Sequence, residues 1–222
     1  MNIWIAGSPK EVMEAAQTGL VSAVVTNPTV VADWTKDGQP LEAVATSVIQ
    51  TTGLPLYIQL CGPNRDQFLR EADYLKNVSQ LIIPKIPATL DGLAAARILE
   101  NKGVKTLITT VCSLNQAYVA AVAGVVAICP YYSRLRDHSE DAARLIRDVA
   151  DMYRREGVST RIQPASVRSV EDVAQCILNG ADGVIVFYDV FRQLTAHPVS
   201  DKSLANFEND WRRIKLSADY PS

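Results

Sequence analysis

Short apolar runs alternate with longer amphipathic segments along nearly the whole chain. The runs Asn2–Ala6, Ser22–Thr26, Leu56–Leu60, Leu81–Ile86, Lys105–Thr109, Val125–Cys129, Thr160–Pro164 and Val184–Phe187 predict strands. They are apolar at successive positions rather than at every second one, the pattern of strands covered on both faces. Between them, apolar residues recur at spacings of three and four. This predicts helices over Lys10–Gln17, Leu41–Thr51, Arg65–Lys76, Leu90–Asn101, Leu114–Ala123, Glu140–Arg155 and Val170–Leu178, with a last helix over Ser203–Ile214. Gly19, Gly53, Gly103, Gly124, Gly157 and the Gly180/Gly183 pair fall where these helices would stop in a left-handed cap. The repeating unit is therefore helix, glycine, strand. Such a repeat builds a parallel sheet covered by helices, as a closed (β/α)8 TIM barrel or an open doubly wound sheet. The barrel is the better fit. The first strand is followed by Ala6-Gly7-Ser8-Pro9, whose single glycine does not make a dinucleotide-binding turn, and no Walker motif occurs.

Composition narrows the classes. With 222 residues, 48% hydrophobic and 21% charged, the chain suffices for one large core, so a single barrel domain over 1–222 is expected, its segment 201–216 being a C-terminal helix. A formal net charge of −2 gives no basic excess for nucleic acid or an anionic membrane. The N-terminal stretch lacks the basic and apolar regions of an export signal, and no run of about 18 apolar residues occurs, so a soluble cytoplasmic protein is expected. Cys61, Cys112, Cys129 and Cys176 are widely spaced and read as buried reduced thiols. The only histidines, His138 and His197, have no cysteine or carboxylate at ligand spacing, which argues against a protein-built metal site and thins the hydrolase options.

The chemistry-bearing feature is Leu81-Ile82-Ile83-Pro84-Lys85-Ile86-Pro87, an apolar run that holds one lysine. An unpaired ammonium does not belong in a strand buried on both faces. Either Lys85 lies at a strand end and snorkels into water, or desolvation leaves a neutral amine able to attack a carbonyl and form a Schiff base. In a barrel, reacting groups collect at the C-terminal strand ends. Those ends offer Thr26-Asn27-Pro28, Gln59, Lys85, Thr109-Thr110, Pro130-Tyr131-Tyr132-Ser133-Arg134 and Ala165-Ser166-Val167-Arg168. Each is unremarkable alone. Together they combine a desolvated lysine, a tyrosine to move protons, amides and hydroxyls for a polyol, and arginine with serine for a phosphate.

The Thr26-Asn27-Pro28 turn, Ile83-Pro84-Lys85-Ile86-Pro87, the Asp91-Gly92-Leu93-Ala94-Ala95 helix start and Pro130-Tyr131 with Arg134 resemble the small transaldolases and fructose-6-phosphate aldolases. The resemblance runs from the first strand to the Phe207–Trp211 region. It implies a (β/α)8 barrel and a class I aldolase needing no metal or other cofactor, with Lys85 forming an imine with a dihydroxyacetone-like donor. It further implies that Tyr131 exchanges protons, that Gln59 and Thr109 position a water, that Asn27 and Thr26 hold the donor, and that Arg134, Ser166 and Arg168 hold an anion. Gln59 with Tyr131 resembles the aldolase subgroup more than the transaldolases, which place glutamate on the third strand. Transaldolase chemistry on sugar phosphates and a catalytically weakened sugar-phosphate-binding barrel are the alternatives.

Two departures qualify the resemblance. The family's first strand ends in an aspartate, and here that position is Ala6, so the corner beside Lys85 is roomier and more apolar. After Arg134 the chain reads Leu135-Arg136-Asp137-His138-Ser139-Glu140 in place of an acidic, glycine-rich turn, which adds positive charge near an anion or belongs to an exposed loop and helix start. Phe207 and Trp211, four apart, form an aromatic stripe whose usual place is a core. The resemblance implies a homo-oligomer, a pentamer or two stacked pentamers, with the C-terminal helix in its contacts.

Overall fold

The computed structural model describes residues 1–216 and 220; the expected domain end at residue 222 lies outside them. The chain divides into two compact units, one up to Phe191 and one from Arg192 onward. The first contains every strand: β1 (Asn2–Ala6), β2 (Ala23–Val25), β3 (Leu56–Gln59), β4 (Ile82–Pro87), β5 (Leu107–Val111), β6 (Ala127–Pro130), β7 (Arg161–Ile162) and β8 (Gly183–Phe187). Its helices are α1 (Pro9–Gln17), α2 (Pro28–Trp34), α3 (Leu41–Thr52), α4 (Arg65–Val78), α5 (Leu90–Asn101), α6 (Leu114–Ala123), α7 (Ser133–Asp137), α8 (Ala142–Glu156) and α9 (Val170–Leu178), and the boundary between the units falls within α10 (Tyr188–Gln193).

All eight strands are parallel, in the order β7-β6-β5-β4-β3-β2-β1-β8. The ends of this order meet: Ile185 N–H donates to the Pro164 carbonyl at 2.9 Å, and Val167 bridges Val186. The sheet is thus a barrel, with no exposed edge to template pairing with another chain. The doubly apolar strands follow from this closure. Ile5, Val24, Ile58, Ile86, Ile108 and Val186 pack outward on the helices, while Trp4, Ala6, Val25, Tyr57, Leu107, Cys129, Ala165 and Ile185 fill the barrel interior. Inside, small residues meet large ones, as in the stacking of Trp4 on Tyr57 with ring centroids 4.5 Å apart. Each fully buried aliphatic side chain such as Ile5 or Leu56 contributes about 1.5–3 kcal/mol.

The helix, glycine, strand period is present. Gly53, Gly124 and Gly157 cap α3, α6 and α8 in the left-handed region, whereas Gly183 opens β8 and is no cap. Helices α5, α6 and α9 have the predicted bounds. Helix α8 starts at Ala142 rather than Glu140 because Asp141 is its N-cap, accepting from the Arg144 N–H at 2.9 Å. The short helices α2, α7 and α10 were not predicted, because five to seven residues are too few to show a helical period. Cys129 and Cys176 are buried as expected, but Cys61, just past β3, is exposed.

The second unit contains α11 (Pro198–Trp211), which starts five residues before the predicted Ser203 because Pro198 occupies its first turn and His197 caps it. Phe207 and Trp211 are 64% and 48% exposed, so the aromatic stripe is not core. Among the described residues no helix is long and apolar enough to cross a membrane.

Candidate active site

A cavity of about 570 Å³ opens at the C-terminal ends of the barrel strands. Ala6, Thr26, Asn27, Gln59, Lys85, Tyr131, Arg134, Ser166 and Arg168 all line it, so closure of the barrel gathers residues from most of the chain. Thr109 is the one sequence-derived site residue absent from its lining; Thr110 stands there instead.

Lys85 is central. Its register partner on β3 is Gln59, and its neighbour on β5 is Leu107. Alternation along β4 turns Ile82, Pro84 and Ile86 one way and Lys85 the other, into the barrel. The side chain is 4% exposed, which decides against snorkelling. Nζ donates to the Thr26 main-chain carbonyl at 2.8 Å. Burial lowers the Lys85 pKa; nearby Cys129 opposes this and Arg134 adds to it. Burial pushes the Cys129 thiol up to about 12, so it is a neutral neighbour and no counter-ion. A carbonyl is a dipole, not a charge, so the neutral amine is the form this environment favours.

The Thr26 carbonyl is fixed from the other side: its hydroxyl donates to the Tyr57 carbonyl at 2.9 Å and its N–H bonds the same residue. The Thr26 side chain is therefore committed to backbone, and what it gives Lys85 is the carbonyl. Asn27 lies two residues past β2 and caps α2, its Oδ1 accepting the Val30 N–H at 2.9 Å. The dipeptide Asn27-Pro28, read from sequence as a turn, is thus a cap followed by proline at the first helical position.

Thr109 follows Leu107 by two positions and shares its inward face, buried, with a hydroxyl that has no hydrogen-bond partner among the described residues. The next residue, Thr110, has φ +60°, beside a register shift in the β5–β6 pairing. Ser166 is likewise left-handed at φ +57°. Such backbone costs about 1–2 kcal/mol for a side-chain-bearing residue; of the three described non-glycine residues with positive φ, Thr110 and Ser166 lie on this cavity and Ser139 does not.

The far wall is cationic. Tyr131 continues β6 and bridges Ala165, and the Arg134 guanidinium lies 4.7 Å from its ring centroid. Arg168 lines the cavity but pairs with Asp137 at 2.7 Å. Arg136, the extra positive charge noted in the sequence, is held by Asp172 at 2.5 Å and does not line the cavity. Asp172 is a hub: buried, it also accepts the Ser133 hydroxyl at 3.0 Å and the Arg168 N–H at 3.1 Å, tying α7, which carries Arg134, to the start of α9.

Sequence reasoning missed Asp33 and Phe187 as lining residues, and gave Thr109 the role at the fifth strand end where Thr110 lines the cavity. The Asn27-Pro28 cap signal would have found α2, but not which of its residues faces the cavity. Ala6, whose register partner on β8 is Phe187, lines the cavity with Phe187 and Ile185 as an apolar stretch of wall.

Residues 6–219 match the family described as Transaldolase/Fructose-6-phosphate aldolase. The chain is 34% identical over 206 residues to "Probable transaldolase 1" of Listeria monocytogenes, covering 93% of this chain and 95% of that protein. Similar proteins include a "Probable transaldolase" of Thermoanaerobacter, 33% identical over 93% of this chain and 94% of its own, and one of Caulobacter vibrioides, 35% identical over 91% and 92%.

Proposed function

Since the chain belongs to the transaldolase/fructose-6-phosphate aldolase family, whose members are enzymes of transferase or aldolase type, we propose that it is a class I aldolase acting on ketose phosphates through an imine on Lys85. The observation that carries this reading is a lysine 4% exposed whose only hydrogen bond among the described residues is to a carbonyl. The neutral amine attacks the C2 carbonyl of the ketose, and the carbinolamine, taking up a proton on its hydroxyl, loses water to leave an iminium ion. The C3–C4 bond then breaks. Its electron pair passes into the iminium to give an enamine, the C4 hydroxyl gives up its proton, and C4 departs as an aldehyde. Protonation of the enamine at C3 and hydrolysis of the imine release the dihydroxyacetone unit and restore Lys85.

Tyr131, with a water held by Gln59 and Thr109, moves the protons; Asn27 holds donor hydroxyls; Arg134, Ser166 and Arg168 hold the terminal phosphate. Arg168 gives the weakest of these contacts, because it already pairs with Asp137. If the enamine instead attacks a second aldehyde, the same site is a transaldolase, the reading that the relatives' names favour. Gln59 and Tyr131 in the cavity favour aldol cleavage. The exposed stripe on α11 supports a homo-oligomer, pentameric or decameric, which light scattering would measure.

Borohydride reduction with dihydroxyacetone, hydroxyacetone and fructose 6-phosphate offered separately, read by intact mass and peptide mapping, tests the reading. An adduct is expected on Lys85 and absent in Lys85→Ala. No adduct with any donor, or turnover surviving in Lys85→Ala, overturns it. Aldehyde release from fructose 6-phosphate alone indicates the aldolase, and dependence on an added aldose phosphate indicates the transaldolase.

A further inference from the structure

The strand ends around the Lys85 cavity fall into two arcs. Five neighbouring strands, β3 to β7, each bring a polar side chain to the lining near or just past their ends: Gln59, Lys85, Thr110, Tyr131 and Ser166. The other three, β8, β1 and β2, are also neighbours, and they bring Ile185 with Phe187, Ala6, and Val25. Ala6 is level with Phe187 on one side, and on the other Ile5 is level with Val24, which sets Val25 beside Ala6. The apolar residues are therefore contiguous. Thr26 and Asn27, just past β2, mark where this arc ends, and the acid in the lining, Asp33, comes from α2 rather than from a strand.

Two residues give the arc its character. Ala6 puts a methyl group on the middle strand where the resembled family carries a carboxylate, so the arc belongs to this chain. Phe187 is 45% exposed although it ends a buried strand, and among the described residues no aromatic ring stacks on it. A substrate hydroxyl laid against such a wall gives up water without gaining a partner, which costs about tenfold in affinity. An alkyl group there covers apolar surface and gains about fourfold for each CH2 buried. We propose that the β8–β1–β2 arc is an apolar subsite and that the substrate carries a non-hydroxylated alkyl end, which lies on Ala6, Ile185 and Phe187. These three side chains determine specificity. The inference deepens the Lys85 reading, in which a ketone donor and an aldehyde meet in one cavity, and either can supply the alkyl end.

Ligand-observed NMR titration of the full chain tests this with two pairs whose members differ by CH3 in place of OH. The donor pair is 1-hydroxybutan-2-one against dihydroxyacetone, and the aldehyde pair is propanal against glycolaldehyde. The native chain is expected to bind the alkyl member of at least one pair about fourfold more tightly or better. Phe187→Ser should bring that ratio to unity, and Ala6→Ser should lower it less. A preference in the ketone pair assigns the alkyl end to the donor, and one in the aldehyde pair assigns it to the acceptor. The hydroxylated member binding as well or better in both pairs overturns the proposal, as does a ratio that neither variant changes. A merely structural role would weaken both members of a pair alike and leave their ratio standing. The native ratio is an equilibrium quantity that depends on no variant and no turnover. Successful trapping on Lys85 without the expected ratio therefore sinks this inference alone, and the expected ratio with failed trapping sinks the Lys85 reading alone.

Discussion

Replacing Asp172 by alanine removes the hub that holds α7 against α9. Asp172 is 2% exposed and accepts from the Ser133 hydroxyl at 3.0 Å, the Arg168 N–H at 3.1 Å and the Arg136 guanidinium at 2.5 Å. The Ser133 bond is buried and the Arg168 N–H bond partly so, and losing each costs about 1 kcal/mol, more where the orphan cannot be rehydrated. Ser133 is fully buried and falls in that class. Arg136 is 56% exposed, so its guanidinium returns to solvent and its share is held to about 1 kcal/mol despite the short contact. The sum is about 3–4 kcal/mol, or a fall of about 6–16 °C in Tm for a domain of this size. Urea unfolding followed by circular dichroism measures it, with Arg136→Leu expected to lose under about 1 kcal/mol.

The same bonds set a pH dependence. Burial pushes the Asp172 carboxyl up, but the hydrogen bonds from Arg136, the Arg168 N–H and Ser133 outweigh it and hold the pKa below the usual carboxylate value. A depressed native pKa adds stability that is complete above the unfolded value of about 3.9 and is lost as pH falls through the native one. The gap between wild type and Asp172→Ala should therefore be full at neutral pH and narrow in acid below about pH 4. A loss below about 1 kcal/mol, an equal loss in Arg136→Leu, or a gap that persists in acid would refute the hub. Because α7 also carries Arg134, KM for a phosphorylated ligand should rise more than kcat falls.

Two further substitutions probe the strand ends. At Gly92, in the first turn of α5, a Cβ would stand 2.1 Å from the Pro87 carbonyl oxygen, and that backbone cannot yield without moving the end of β4; Gly92→Ala should cost more than about 3 kcal/mol, and an unchanged urea midpoint would contradict the close approach. Thr109→Val removes a buried hydroxyl that has no partner among the described residues, so stability should hold or rise by up to about 1 kcal/mol while kcat falls; a loss of stability with kcat intact would make the residue structural.

Much of this molecule is written locally. A lysine in an apolar run between prolines, a glycine after most of the long helices and strands without alternation are short-range patterns, and they predicted the barrel, the bounds of α5, α6 and α9, and a strand-end cluster centred on Lys85. Where local signals fell short, the reason was also physical. Helices α2 and α7 are too short for a period, and α11 begins at a proline the periodic pattern did not mark. What a side chain faces is settled only when β8 pairs with β1 and the barrel closes. Closure brings Ala6 and Phe187 to one wall of the Lys85 cavity, turns Arg136 to Asp172 rather than into the cavity, and brings Asp33 to its rim. Propensity acts over a few residues along the chain, whereas burial and electrostatics act over a few ångströms in space, and only the fold relates the two distances.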